Sequence, residues 1–138
     1  MERTVVLVKP DGVQRGLIGQ ITDRFERKGL RLCAVKMVAL DDPILDQWYF
    51  HHKDKPFFKD LKNFMKSSPV VAMVWEGLEE AGTIRGDFGM SGSHNLIHAS
   101  DSPENAAKEL KLVFKKEEIF DYHKDEYSHI YTDEEQKE

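Results

Sequence analysis

The run Ile97-His98-Ala99-Ser100-Asp101-Ser102 places a histidine at the end of an apolar stretch, with hydroxyl and carboxylate groups beside it. A neutral imidazole can attack phosphorus through its unprotonated nitrogen, forming a phosphoramidate that stays reactive toward a second acceptor. The other ring nitrogen then needs a partner to set the tautomer. Glu109 is the candidate, since it flanks the apolar stripe of the helix that follows; Ser100 is placed to hydrogen-bond that carboxylate or the transferred group. Outside such a constellation, a histidine on an apolar strand is ordinarily a satisfied core residue. Metal binding is the other reading of His94 and His98, which stand four apart, but no third ligand lies in a defined frame and a zinc site is not expected. The neighbours His51 and His52 should diverge on a helix.

Phosphates need cations or backbone cradles. Neither a G-x-x-x-x-G-K-S/T loop nor a G-x-G-x-x-G turn occurs, so discrete side chains must serve. Lys9 follows the apolar run Val5-Val6-Leu7-Val8 at a strand end, where it can offer a compact cation to a phosphate oxygen or can snorkel into solvent. Arg85 stands between Gly82 and Gly86, which let backbone approach an anion while the guanidinium grips it; pairing with Asp87 is the plain alternative.

The elements that position these groups follow from apolar spacing. Val5 to Val8 reads as a buried central strand stopped by a turn at Pro10-Asp11-Gly12. Leu17, Ile18, Ile21 and Phe25 recur at helical spacing up to Gly29, and Leu32 to Leu40 reads as a second strand. Asp41-Asp42-Pro43 opens a helix running toward Tyr49, and Pro56 opens another with Phe57, Phe58, Leu61, Phe64 and Met65 on its apolar stripe. Val70 to Trp75 is a third strand, Gly77 to Gly92 a loop, and roughly His94 to Ala99 a fourth strand. Ser102 caps a last helix with Pro103 at its first position and Ala106, Ala107, Leu110, Val113 and Phe114 on its buried face. Strict alternation along the fourth strand would put Asn95 and His98 on opposite faces, so one site can use both only if the strand is irregular or ends between them. The order predicts an α/β chain of the α+β kind: a ferredoxin-like βαββαβ fold, a four-stranded antiparallel sheet with helices on one face.

The 138 residues suit one domain, expected over 1–131, with a charged tail at 132–138. A composition 33% charged and 40% hydrophobic is that of a soluble globular chain, and no apolar run is long enough to cross a bilayer. The net charge of -5 argues against a nucleic-acid surface, although a small cationic pocket is compatible with an acidic protein. Met1-Glu2-Arg3 leading straight into a strand is not a signal-peptide pattern. Cys33 is the single cysteine and is expected as a small core residue, which suits a reducing cytoplasm.

Three long motifs, Lys9-Pro10-Asp11-Gly12-Val13-Gln14-Arg15-Gly16, Gly82-Thr83-Ile84-Arg85-Gly86-Asp87-Phe88 and Asn95-Leu96-Ile97-His98-Ala99-Ser100-Asp101-Ser102, closely resemble those of nucleoside diphosphate kinases. Lys55-Pro56-Phe57-Phe58 stands where that family has Arg-Pro-Phe-Phe, and the likeness covers nearly the whole chain. The resemblance implies a ping-pong exchange in which a nucleoside triphosphate phosphorylates His98 and a nucleoside diphosphate removes the group, with Mg2+ bridging the substrate phosphates. It further implies that Lys9 and Asn95 hold the sugar hydroxyl region, Tyr49 and Arg85 the phosphates, that Phe57 stacks on the base and Leu61 lines the base slot, and that Ser100 and Glu109 support the histidine. Apart from the family, Phe57 would equally be ordinary helix core.

The chain departs from the family pattern between Gly77 and Gly82, where Leu78, Glu79, Glu80 and Ala81 replace a helix and a long loop. In the family that segment supplies a second arginine and a threonine to the phosphates. Losing a charge-assisted contact costs about 1.5 to 3 kcal/mol, so activity lowered by roughly one to two orders of magnitude is expected. His94 stands where the family has a cation before the asparagine, and Ala99 where it has a glycine. The same loop joins family dimers into larger rings, so a homodimer is expected and a hexamer is not. The shortened crossover predicts an uncovered part of the sheet, to be covered by a partner subunit or by the segment 120–131. Two other functions compete with the kinase: a nucleotide-binding regulator that has lost turnover, and a relay passing phosphate from His98 to another protein.

Overall fold

The computed structural model of the chain describes residues 2–77 and 96–122. Strand β1 (Glu2–Val8) is followed by α1 (Pro10–Gln14), α2 (Ile18–Arg27), β2 (Arg31–Val38), α3 (Asp42–Trp48), α4 (Phe58–Lys66), β3 (Val70–Gly77), β4 (Ile97–Ala99) and α5 (Pro103–Val113). Short 3-10 turns lie at Phe50–His52 and Lys116–Glu118. The strands form one sheet in the order β2-β3-β1-β4, every neighbouring pair antiparallel. This is the expected ferredoxin-like sheet with helices.

The helices cover both faces of the sheet and not the single face expected. Alternation sends Val5 and Leu7 into a cluster with Leu45, Trp48, Phe58, Met65 and Val113, so α3, α4 and α5 share that face. Val6 and Val8 point the other way, into a cluster with Ile21 and Phe25 of α2 and with Met73 and Trp75. An uninterrupted apolar run is what a strand buried on both sides requires, so the signal stands in Val5 to Val8. On the α2 face Phe25 stacks on Trp75 with ring centroids 5.1 Å apart, both rings fully buried. Phe25→Ala should therefore lower stability by about 3 to 5 kcal/mol, read from denaturant midpoints at an unchanged slope; a loss below about 1 kcal/mol would place the ring outside the core.

Local chemistry sets the ends of these elements. Asp41 caps α3 by accepting the Ile44 N–H at 3.0 Å, and Ser102 caps α5 by accepting the Asn105 N–H at 3.1 Å. Gly29 ends the turn after α2 with a φ of 85°. Pro10 to Gly12 is a short helix and not the expected turn, because a proline at the first helical position has φ already set and no N–H to satisfy. Gly12 lets α1 lie close to the sheet: a Cβ there would stand 2.9 Å from Val8 Cγ1 and 3.1 Å from the Leu96 carbonyl oxygen. The helix predicted from Pro56 begins at Phe58; its stripe is buried at Phe58 and Met65, while Phe57 and Phe64 are exposed. On α5, Ala107 is exposed and Ala106 carries the buried face. Cys33 is buried, as expected.

The described end of the C-terminal segment runs along the edge of β2. The Phe120 N–H donates to the Cys33 carbonyl at 2.8 Å and the Tyr122 hydroxyl to the Leu32 carbonyl at 2.6 Å. Arg31 donates to Glu76, to Asp121 and to the Tyr122 carbonyl. Phe120 itself is exposed, and residues 120–122 seal part of that edge. The glycine-rich loop, the start of the fourth strand and the charged tail lie outside the described residues. No helix among the described residues is long and apolar enough to cross a membrane.

Candidate active site

β4 is an edge strand whose Cα register pairs Leu7 with His98. Paired residues of antiparallel strands share a face, so His98 points with Leu7 toward α3 and α5. Its neighbour Ser100, two positions on, shares that face, and Lys9 is the residue between the end of β1 and α1. Here the imidazole meets two elements at once. Glu109 on α5 places Oε1 3.0 Å from His98 Nε2, and Trp48 at the end of α3 places its indole Nε1 3.3 Å from the same nitrogen. The rings of Trp48 and His98 meet edge to face, 5.4 Å apart at 81°.

Ser100 completes the arrangement from a fully buried position. Its hydroxyl donates to Glu109 Oε1 at 2.7 Å and accepts the Val5 N–H at 3.1 Å, which ties the carboxylate to the central strand. One carboxylate oxygen thus receives a hydroxyl proton and faces an imidazole nitrogen. His98 keeps 21% of its side-chain surface and Glu109 13%, so the pair is partly open to solvent and not sealed within the core. An ionised carboxylate attracts a donor about twice as strongly as a neutral acceptor, which favours the tautomer with the proton on Nε2 and the lone pair on Nδ1.

Tyr49 lies within electrostatic reach of Glu109, and Lys9 is half-buried at the end of β1. Burial pushes the Tyr49 phenol up to about 12, and the negative charge of Glu109 adds to the effect, so the phenol remains a proton donor throughout the physiological range. Burial also lowers the Lys9 ammonium, with Asp11 drawing it partly back. The Lys9 N–H donates to the Leu96 carbonyl at 2.8 Å, anchoring the turn from β1 into α1 beside the start of β4.

Farther along the same end of the α3–α4 hairpin, Phe57 is 46% exposed at the start of α4 and Leu61 is half-buried against the core. The His52 ring bridges toward the centre, 5.3 Å from the ring of Phe57 and 6.2 Å from that of Tyr49. His51 and His52 do not diverge as expected: in the tight 3-10 turn their rings lie 4.0 Å apart. Burial, then His51 and Lys55, holds His52 below the usual imidazole range. No group of three metal-ligating side chains occurs among the described residues.

The structure therefore brings His98 and Ser100 each into contact with Glu109, sets Tyr49 within electrostatic reach of Glu109, and places Phe57 and Leu61 at the neighbouring hairpin. Arg85, Asn95 and His94 lie outside the described residues. Trp48 is not legible as a site residue in the sequence: at the end of an amphipathic helix a tryptophan reads as core, and nothing in its spacing shows where its N–H points. His52 is equally silent there, its partners being set by the turn.

The family model for nucleoside diphosphate kinase matches residues 2–81 and 77–119, two stretches that overlap at 77–81. A nucleoside diphosphate kinase of Carboxydothermus hydrogenoformans is 48% identical, covering 90% of this chain and 95% of the relative. The alignment spans 141 positions, more than the 138 residues here, so it includes positions at which the relative has residues and this chain has none. Among solved structures, a nucleoside diphosphate kinase family protein from Babesia bovis superposes with a TM-score of 0.79 at 47% identity, covering 95% of this chain and 100% of the other. A halophilic nucleoside diphosphate kinase from Halobacterium salinarum in complex with CDP gives 0.77 at 42% identity, covering 95% and 99%.

Proposed function

Because the chain belongs to the nucleoside diphosphate kinase family of nucleotide phosphotransferases, we propose that it exchanges the terminal phosphoryl group between nucleotides through His98 by a ping-pong mechanism. The observation that carries this reading is the 3.0 Å contact between His98 Nε2 and Glu109, which commits that nitrogen and leaves the Nδ1 lone pair for attack. Nδ1 forms a bond to the γ-phosphorus as the bridging P–O bond breaks, and its electron pair leaves on the diphosphate. The imidazolium that results keeps its Nε2 proton against Glu109, which opposes the new positive charge. A second nucleoside diphosphate reverses the steps, its terminal oxygen displacing Nδ1 from phosphorus.

The remaining residues take the roles their chemistry suits. Tyr49 and Lys9 offer O–H and N–H donors, which complement phosphate oxygens and not a cation. Mg2+ would therefore be held by the phosphate oxygens of the nucleotide and not by these side chains, and when bound would neutralise charge there. Phe57, exposed at the hairpin, stacks on the base with little regard to its identity, and Leu61 lines the slot beneath it. Arg85 and Asn95 complete the phosphate and sugar contacts. Turnover is lower than in full-length relatives, because the shortened crossover removes phosphate contacts. A cytoplasmic setting suits the free, buried Cys33.

Incubation with γ-labelled ATP tests the reading. An acid-labile phosphoprotein discharged by GDP supports it, nucleotide binding without labelling would identify a regulator, and discharge only to a protein acceptor would identify a relay.

The chain works as a homodimer. β2 lies at the edge of the sheet, and Val35 and Met37 on its α2-side face are 54% and 60% exposed, an apolar strip that a second copy would cover. Light scattering on the eluted peak should give twice the chain mass of 16.0 kDa; a hexamer would overturn this assembly.

A further inference from the structure

Two hydrogen-bonding groups converge on one nitrogen. His98 Nε2 stands 3.0 Å from Glu109 Oε1 and 3.3 Å from Trp48 Nε1. In either protonation state the nitrogen can satisfy only one of them. With a proton it donates to the carboxylate; without one it accepts from the indole, which is a donor only. Trp48 is buried, and a buried indole N–H ordinarily finds an acceptor. Its partner here is the ring proposed to carry phosphate. By contrast, the N–H of Trp75, also buried, has no hydrogen-bond partner among the described residues.

We propose that Trp48 is a positioning residue for His98, its indole N–H holding Nε2 whenever that nitrogen gives up its proton, as Glu109 holds it when protonated. This rests on the phosphohistidine reading above and extends it to the fate of the phosphoenzyme. Once Nδ1 is bonded to phosphorus, the Nε2 proton is the ring's only exchangeable one. When water adds to phosphorus, the N–P bond breaks and its electron pair returns to Nδ1. A ring that keeps the Nε2 proton departs as neutral imidazole, whereas a ring without it must depart as an imidazolate anion and leaves far more slowly. By stabilising the unprotonated ring, Trp48 protects the phosphoryl group from water between the two half-reactions. The titratable groups shown to act on this face are Glu109 from α5 and Tyr49 from the end of α3; Ser100 adds a hydroxyl already given to Glu109. Of these, Glu109 favours the protonated ring and Trp48 alone is within hydrogen-bonding distance on the opposing side among the described residues.

Two measurements on the whole chain test the assignment. In the first, phosphoenzyme freed of nucleotide is followed by phosphorus NMR as it hydrolyses across a pH series, for wild type and Trp48→Phe. The substitution keeps an aromatic ring and removes only the donor edge. The midpoint should rise by roughly half to one pH unit in the variant, the threefold to tenfold change in proton affinity that one neutral hydrogen bond carries. A ring acting only as packing would change the rate without moving the midpoint, and an unmoved or lowered midpoint overturns the proposal. The second measurement needs no phosphate: nitrogen-15 shifts of the histidine rings in the unphosphorylated protein report the His98 tautomer. In the Glu109→Gln background the ratio of the Nδ1–H to the Nε2–H form should be threefold to tenfold higher with Trp48 than in the double variant with Trp48→Phe. Equal tautomer ratios with and without the indole overturn the proposal. Failure to form a phosphoenzyme would sink the phosphotransfer reading itself, and the tautomer ratios would then decide the assignment of Trp48.

Discussion

His98→Asn should abolish labelling by γ-labelled ATP and lower ATP–GDP exchange on the order of 10⁴-fold or more, the scale of loss when a covalent nucleophile is removed. Asparagine retains a polar side chain of compatible size but has no nitrogen lone pair able to bond phosphorus. The fold should survive, because the side chain sits at an edge strand with a fifth of its surface open, and Glu109 keeps its 2.7 Å hydrogen bond from Ser100. The melting temperature should move by no more than about 4 to 8 °C, the shift a loss of 1 kcal/mol brings in a small domain. Full labelling of a well-folded variant would transfer the phosphate carrier to another residue and undo the proposed mechanism.

Glu109→Gln should slow the phosphorylation of His98 by roughly 10- to 150-fold, the equivalent of losing about 1.5 to 3 kcal/mol of charge-assisted hydrogen bonding. The loss has two physical parts. The imidazolium formed on attack no longer faces a negative charge, and the resting ring is free to take the tautomer in which Nδ1 bears the proton and cannot attack. Both act on the chemical step, so pre-steady-state phosphorylation should slow while nucleotide affinity stays nearly unchanged. The Tyr49 phenol, held near 12 by burial first and by Glu109 second, should titrate lower in the same variant. A variant with wild-type phosphorylation rate would show that the 3.0 Å contact has no part in activating the ring.

Part of the site and much of the fold are legible in the residues themselves. Ser102-Pro103 and Asp41-Asp42-Pro43 announce helix starts because capping depends on side chains only a few residues from the backbone they satisfy. The stripe on α2 and the apolar run of β1 are equally local. Glu109 can be named as a partner for His98 because eleven residues and a single turn separate them, a distance over which helix phase still predicts direction. Where sequence and structure part, the cause is non-local. The order of elements predicts helices on one face, yet Val5 to Val8 has no polar alternation to spare a face for solvent. Likewise, the divergence expected of His51 and His52 assumes α-helical spacing where the chain makes a tighter turn.

The sequence alone thus determined the chemistry available to this chain: an imidazole, a carboxylate and a hydroxyl within one short stretch, cationic and phenolic groups ahead of them, and the motif order that marks the family. What only the tertiary structure decided is which nitrogen of His98 is engaged, and by whom. Trp48 and His98 are 50 residues apart and meet because α3 and β4 pack on the same face of the sheet, each held there by buried apolar surface that has no preference for where an indole N–H will point. Hydrophobic burial is non-directional, so a sequence pattern can assign a residue to a face; the hydrogen bond that results depends on the packing of elements remote from one another in the chain.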